Sequence, residues 1–126
     1  MTHAIGTFEV KLAPLPTDVP GASRMSIDKQ FHGDLEASSK GEMLSVMTEV
    51  KGSAGYVAME RVTGTLHGRS GSFVLQHSAT MNRGAPQLSV TVVPDSGTGE
   101  LAGLSGKMAI NIEAGKHSYE FEYVLP

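Results

Sequence analysis

Lys107-Met108-Ala109-Ile110-Asn111-Ile112-Glu113-Ala114-Gly115-Lys116-His117-Ser118-Tyr119-Glu120-Phe121-Glu122-Tyr123-Val124-Leu125 alternates with period two on both sides of a glycine turn. Met108, Ile110 and Ile112 fall on one face, with Asn111 and Glu113 on the other. Tyr119, Phe121, Tyr123 and Leu125 repeat the pattern across Glu120 and Glu122. Residues two apart in a strand share a face, so each segment has one apolar and one wet side. That is the mark of an antiparallel pair, joined here at Ala114-Gly115-Lys116.

The same alternation recurs upstream, as in Leu88, Val90 and Val92 against Ser89 and Thr91. It predicts strands at 4–12, 24–34, 36–50, 55–66, 72–82, 86–93, 107–114 and 117–125. Lys51 to Gly55, His67 to Gly71 and Asn82 to Pro86 supply glycine turns between them. An all-β fold follows, and eight strands joined mostly by short turns suggest an antiparallel sheet closed on itself as a barrel. Ala13 to Ser23 holds three prolines and is expected to be a loop, placed to cover one mouth of the barrel. Leu35 to Leu44 has a second option, a helical turn before Gly41.

With 126 residues the chain is expected to form one domain, burying roughly two-thirds of the surface its unfolded form exposes. Ten basic residues stand against 13 acidic ones, for a net charge of −3, and the basic ones are dispersed, which argues against nucleic acid as a partner. Cysteine is absent, which excludes disulfides, a thiol nucleophile and a thiolate metal site. The N-terminus has neither a basic nor an apolar signal segment and no apolar run approaches a membrane span, so a cytoplasmic protein without a membrane partner is expected.

Three ionisable residues stand where the alternation demands apolar ones. Lys29 interrupts Met25, Ile27 and Phe31; Glu60 interrupts Tyr56, Ala58 and Val62; His77 interrupts Phe73, Leu75, Ala79 and Met81. A buried ionisable group is costly unless it is paired or useful. In a catalytic reading Glu60 is a general base, its pKa raised by burial, and Lys29 or His77 stabilises an oxyanion, which suits an isomerase or cyclase. In a binding reading Tyr56, Phe31, Leu75, Met81 and Tyr119 line a site for a small apolar or carbonyl-containing ligand. In a structural reading Lys29 and Glu60 are a buried ion pair, and His77 bonds a hydroxyl such as Thr65 or Tyr119. Whether the chain is an enzyme stays open among these three.

Other chemistry is poorly supported. The five histidines show no paired ligand spacing, so no metal or other cofactor is expected, and His3, His32, His67 and His117 are expected on the surface or in loops. No serine sits in a Gly-x-Ser-x-Gly elbow. Pro94 to Gly106 is glycine-rich but lacks a P-loop ending, and the segment after it alternates as a strand. A tight corner in which Leu101 or Leu104 plugs a barrel end fits it better.

Gly97-Thr98-Gly99, followed by Leu101, Gly103 and Gly106, resembles the glycine signature of allene oxide cyclase and dirigent barrels. Phe31 to Glu36, Glu60 to Leu66, Gly71 to His77 and Gly97 to Gly106 together resemble the bacterial family known as domain of unknown function 3224. The resemblance implies an eight-stranded, allene-oxide-cyclase-like (calycin-like) barrel that self-associates as a homodimer or higher homo-oligomer. Outward residues such as Val74, Val93 and Val124 would supply the contacts. It implies no reaction, because the plant cyclases' catalytic glutamate and asparagines have no counterpart that can be placed on this chain.

Overall fold

In the computed structural model, which describes residues 1–126, each strand pairs antiparallel with the next and the last closes on the first. The strands are β1 (Thr2–Leu15), β2 (Ala22–Gly33), β3 (Leu35–Met47), β4 (Ala54–Leu66), β5 (Arg69–Asn82), β6 (Ala85–Val92), β7 (Ser105–Glu113) and β8 (Lys116–Val124). All eight expected strands are present, with ends shifted by a few residues. Leu35 to Leu44 is strand throughout, with Leu35, Ala37 and Ser39 buried and Glu36, Ser38 and Lys40 exposed. Pairing with β2 on one side and β4 on the other overrides any local helical preference.

The proline-rich segment differs from expectation. β1 continues to Leu15, with Pro14 opposite Met25, and only 16–21 form the loop. Pairing of β1 with β8 ends at Phe8, so beyond it β1 is an edge strand on that side, where a proline's missing N–H breaks no ladder. The loop folds against the outer wall, where Pro16 accepts a hydrogen bond from Arg24.

The two ends of the barrel are unlike. One is sealed by Leu35 and Leu66 together with Leu101 and Leu104, which the Pro94 to Gly106 corner inserts as plugs on the short 3-10 turn Gly99–Leu101. Behind them Phe73 stacks on Phe121 at 5.8 Å between centroids, and Phe121 on Tyr123 at 5.4 Å. The Tyr119 hydroxyl clamps the β2–β3 turn, accepting from the Leu35 N–H and donating to the His32 carbonyl, both at 2.9 Å. At the opposite end inward positions grow progressively more open: Leu12 is 47% exposed, Met81 43%, Leu88 42% and Ile112 68%. By alternation these side chains face the lumen, so they rim an open, apolar mouth. β6 and β7 meet at a single residue pair, Thr91 with Lys107, which leaves the wall slit on that side.

Gly41 brings β3 unusually close to β4. A Cβ there would lie 2.1 Å from the Met59 carbonyl oxygen and 2.7 Å from the Glu60 Cα. Only glycine allows that approach, and it sits directly opposite Glu60 in the ladder.

Candidate functional site

Lys29 from β2, Ser39 from β3, Glu60 from β4 and His77 from β5 meet inside the barrel, all at most 5% exposed. Lys29 Nζ donates to Glu60 Oε2 at 2.9 Å, and His77 Nε2 lies 2.9 Å from the same oxygen. Ser39 Oγ donates to Oε1 at 3.2 Å. The ammonium also rests over two rings, 4.7 Å from the centroid of Phe8 and 5.4 Å from that of Phe31, where the negative π-faces favour a cation. Register explains the convergence, since Lys29 pairs with Ser39 and Glu60 with Leu75, two positions from His77 on the same face.

Burial pushes the Glu60 carboxyl up, but the His77 hydrogen bond and the Lys29 charge act against it, and its pKa lies below the ordinary value of 4.5. This reverses the raised pKa expected for a catalytic Glu60. With both oxygens occupied by donors it is a fixed carboxylate, not a free base. A lowered pKa stabilises the fold fully above the unfolded value of 4.5 and ceases to do so as pH falls through the lowered folded value. The urea midpoint is therefore expected to drop from about pH 5 downward, more steeply than in Glu60→Gln. Equal slopes in the two proteins would contradict this assignment.

The polar layer divides the lumen. Seventeen buried apolar residues form one cluster on the sealed side, while the buried Ile27 and Ala58 stand apart from it, on the mouth side of the Lys29 to His77 layer. The Glu60 carboxylate can only accept, so His77 Nε2 carries the proton. Nδ1 makes no hydrogen bond within the protein. The half-buried Tyr56 ring lies 6.3 Å from the imidazole between centroids, and burial, then the Glu60 charge, raise its pKa, so its hydroxyl stays protonated.

Lys29, Glu60 and His77 are thus brought together. Of the proposed ligand contacts, Tyr56 and Met81 lie at the mouth, whereas Phe31, Leu75 and Tyr119 are 0–2% exposed in the sealed half. Neither Thr65 nor Tyr119 bonds His77, since Tyr119 is engaged at the β2–β3 turn and Thr65 alternates outward. Two further residues turn inward, and one of them, His117, corrects the expectation of a surface or loop position. Ser39 continues the stripe Leu35, Ala37, and His117, half-buried with its ring 5.1 Å from Phe8, begins the stripe Tyr119, Phe121, Tyr123. The inward parity of both positions was the available signal. His3 and His32 pair with surface carboxylates and His67 lies in the β4–β5 turn beside Tyr123. On the outer wall Val74 and Val93 are half-buried and Val124 exposed.

A groove of about 750 Å³ runs along that outer wall, bordered by Val19, Arg24, Leu44, Val57, Met59 and Gln76. Glu60 and His77 also border it, but their side chains are 0% and 5% exposed and turned inward. It is therefore separate from the polar layer. His3, Glu120 and Glu122 bring ligand atoms within 4.8 Å of one another on the surface, with the Lys107 ammonium 3.7 Å from Glu122 as a competing cation. No helix is long and apolar enough to cross a membrane.

Residues 4–123 match the family model described as protein of unknown function (DUF3224). Among solved structures, a DUF3224 family protein of unknown function from Shewanella oneidensis MR-1 is similar at 55% sequence identity and a TM-score of 0.94, over 100% of this chain and 98% of that one. No curated protein matches the chain significantly.

Proposed function

This chain belongs to the DUF3224 family, and from that premise we propose that its barrel is a binding module for one small, mainly apolar molecule carrying a hydroxyl. The observation that carries the reading is the open apolar mouth, with an unbonded His77 nitrogen in the polar layer beneath it. Leu12, Met81 and Leu88 offer apolar walls that water otherwise covers at a cost. A neutral His77 presents the Nδ1 lone pair as acceptor, and the Glu60 bond fixes the tautomer and the ring's orientation. Apolar walls with few, fixed polar groups are the usual make-up of a small-molecule site.

Titration with 1-naphthol, followed by 1H–15N NMR, is expected to shift the amides of Leu12, Tyr56, Ala79, Met81 and Leu88. His77→Phe is expected to weaken binding about tenfold, the loss of one hydrogen bond. Shifts confined to the outer wall, at Val57 and Met59, or no shifts at all, would overturn the reading. The full occupation of both Glu60 oxygens supports a second reading, a purely structural cluster, for which no mouth amide responds.

A further inference from the structure

We propose that this mouth also moves protons: His77 Nδ1 acts as a general base and the Tyr56 hydroxyl as a hydrogen-bond donor toward an enolisable, β,γ-unsaturated ketone. The proposal rests on the ligand reading above and adds chemistry to it.

His77 and Glu60 form a carboxylate–imidazole pair of fixed polarity. Glu60 Oε2 accepts from the Nε2–H at 2.9 Å, and its other oxygen is pinned by Ser39, so the imidazole is held with Nδ1 free of any protein partner. Lys29 balances the carboxylate, so the pair begins near neutrality and can absorb the charge of an imidazolium as it forms. Tyr56 sits two positions from Ala58, the residue paired with His77, and its hydroxyl has no protein partner. A base and a donor thus stand side by side at one small apolar opening. That arrangement suits proton transfer next to a carbonyl, where a base meets the carbon acid and a donor meets the oxygen.

In the step, the C–H bond between the carbonyl and the alkene breaks and its proton forms an N–H bond at Nδ1. The electron pair passes into the carbonyl, whose oxygen becomes a dienolate oxygen and accepts from the Tyr56 O–H. The imidazolium then returns the proton to the far alkene carbon, the double bond moves into conjugation, and the carbonyl re-forms. No oxidant, reductant or second substrate enters. Glu60 is a positioning residue, acting through His77.

The test follows 3-cyclohexen-1-one with the full chain in D2O by 1H NMR, alongside the amide spectrum of the protein. Conversion to 2-cyclohexen-1-one, with deuterium entering the carbon skeleton, is expected above the buffer rate. His77→Gln is expected to lower kcat about 100-fold, and Tyr56→Phe about tenfold with KM little changed. Glu60→Gln is expected to lower kcat with KM unchanged and to add no further loss in a His77→Gln background, which a merely structural role would not produce. Mouth amides that shift without isomerisation or exchange overturn the proton-transfer proposal and leave binding standing. Turnover that survives His77→Gln in a folded variant also overturns it, and a probe that shifts no mouth amide counts against both readings.

Discussion

Replacing Glu60 with alanine is expected to lower the unfolding free energy by about 3–5 kcal/mol, measured by urea denaturation. The substitution removes more than one contact. It strips the counterion from Lys29, which is 5% exposed and holds no other carboxylate, and deprives Ser39 and His77 of their acceptor. A buried charge left alone loses its hydration with nothing in exchange, which is why halving a pair costs more than the pair itself contributes. The double variant Lys29→Met with Glu60→Leu is therefore expected to regain most of the loss, because it leaves no orphaned charge. Domains of this kind have only about 5–15 kcal/mol in total, so the single variant is expected to be marginal at 37 °C. A loss below about 1 kcal/mol would mean that water reaches Lys29 and that the layer is far wetter than its burial indicates.

Phe121→Ala is expected to cost about 3–5 kcal/mol, whereas Met81→Ala is expected to cost less than about 1 kcal/mol. Phe121 is 0% exposed and stacks between Phe73 and Tyr123, so truncation opens a cavity against rigid neighbours that cannot collapse into it. Met81 has the same inward parity, yet it is 43% exposed at the mouth, so little burial is lost. The contrast measures the difference between the two ends. Similar costs at the two positions would mean that the mouth is packed shut in solution and would remove the basis for a ligand site.

Legibility differed by element. Tyr119, Phe121 and Tyr123 announced their strand because one wet face imposes strict alternation, and Leu101 and Leu104 announced the corner because apolar residues in a glycine-rich loop need a place to bury. Pro14 misled, since a proline reads as a strand breaker until the strand is known to have a free edge. Phe31, Leu75 and Tyr119 share a face with Tyr56 and Met81, but parity says only inward or outward and nothing of depth along the barrel axis. Depth depends on strand stagger, which arises from all eight pairings together.

Sequence by itself determined the all-β class, the eight strands, which side chains turn inward, and the anomaly of Lys29, Glu60 and His77, because all of these follow from a period of two along one chain. Only the tertiary structure decided that the three meet at one carboxylate oxygen, that Ser39 completes the ring of donors, and that one end is sealed while the other stays open. It also reversed the direction of the Glu60 pKa. Burial alone raises a carboxyl's pKa and was all that alternation could suggest. The opposing Lys29 and His77 contributions depend on distances near 3 Å across separate strands, and cross-strand register, not local pattern, sets those distances.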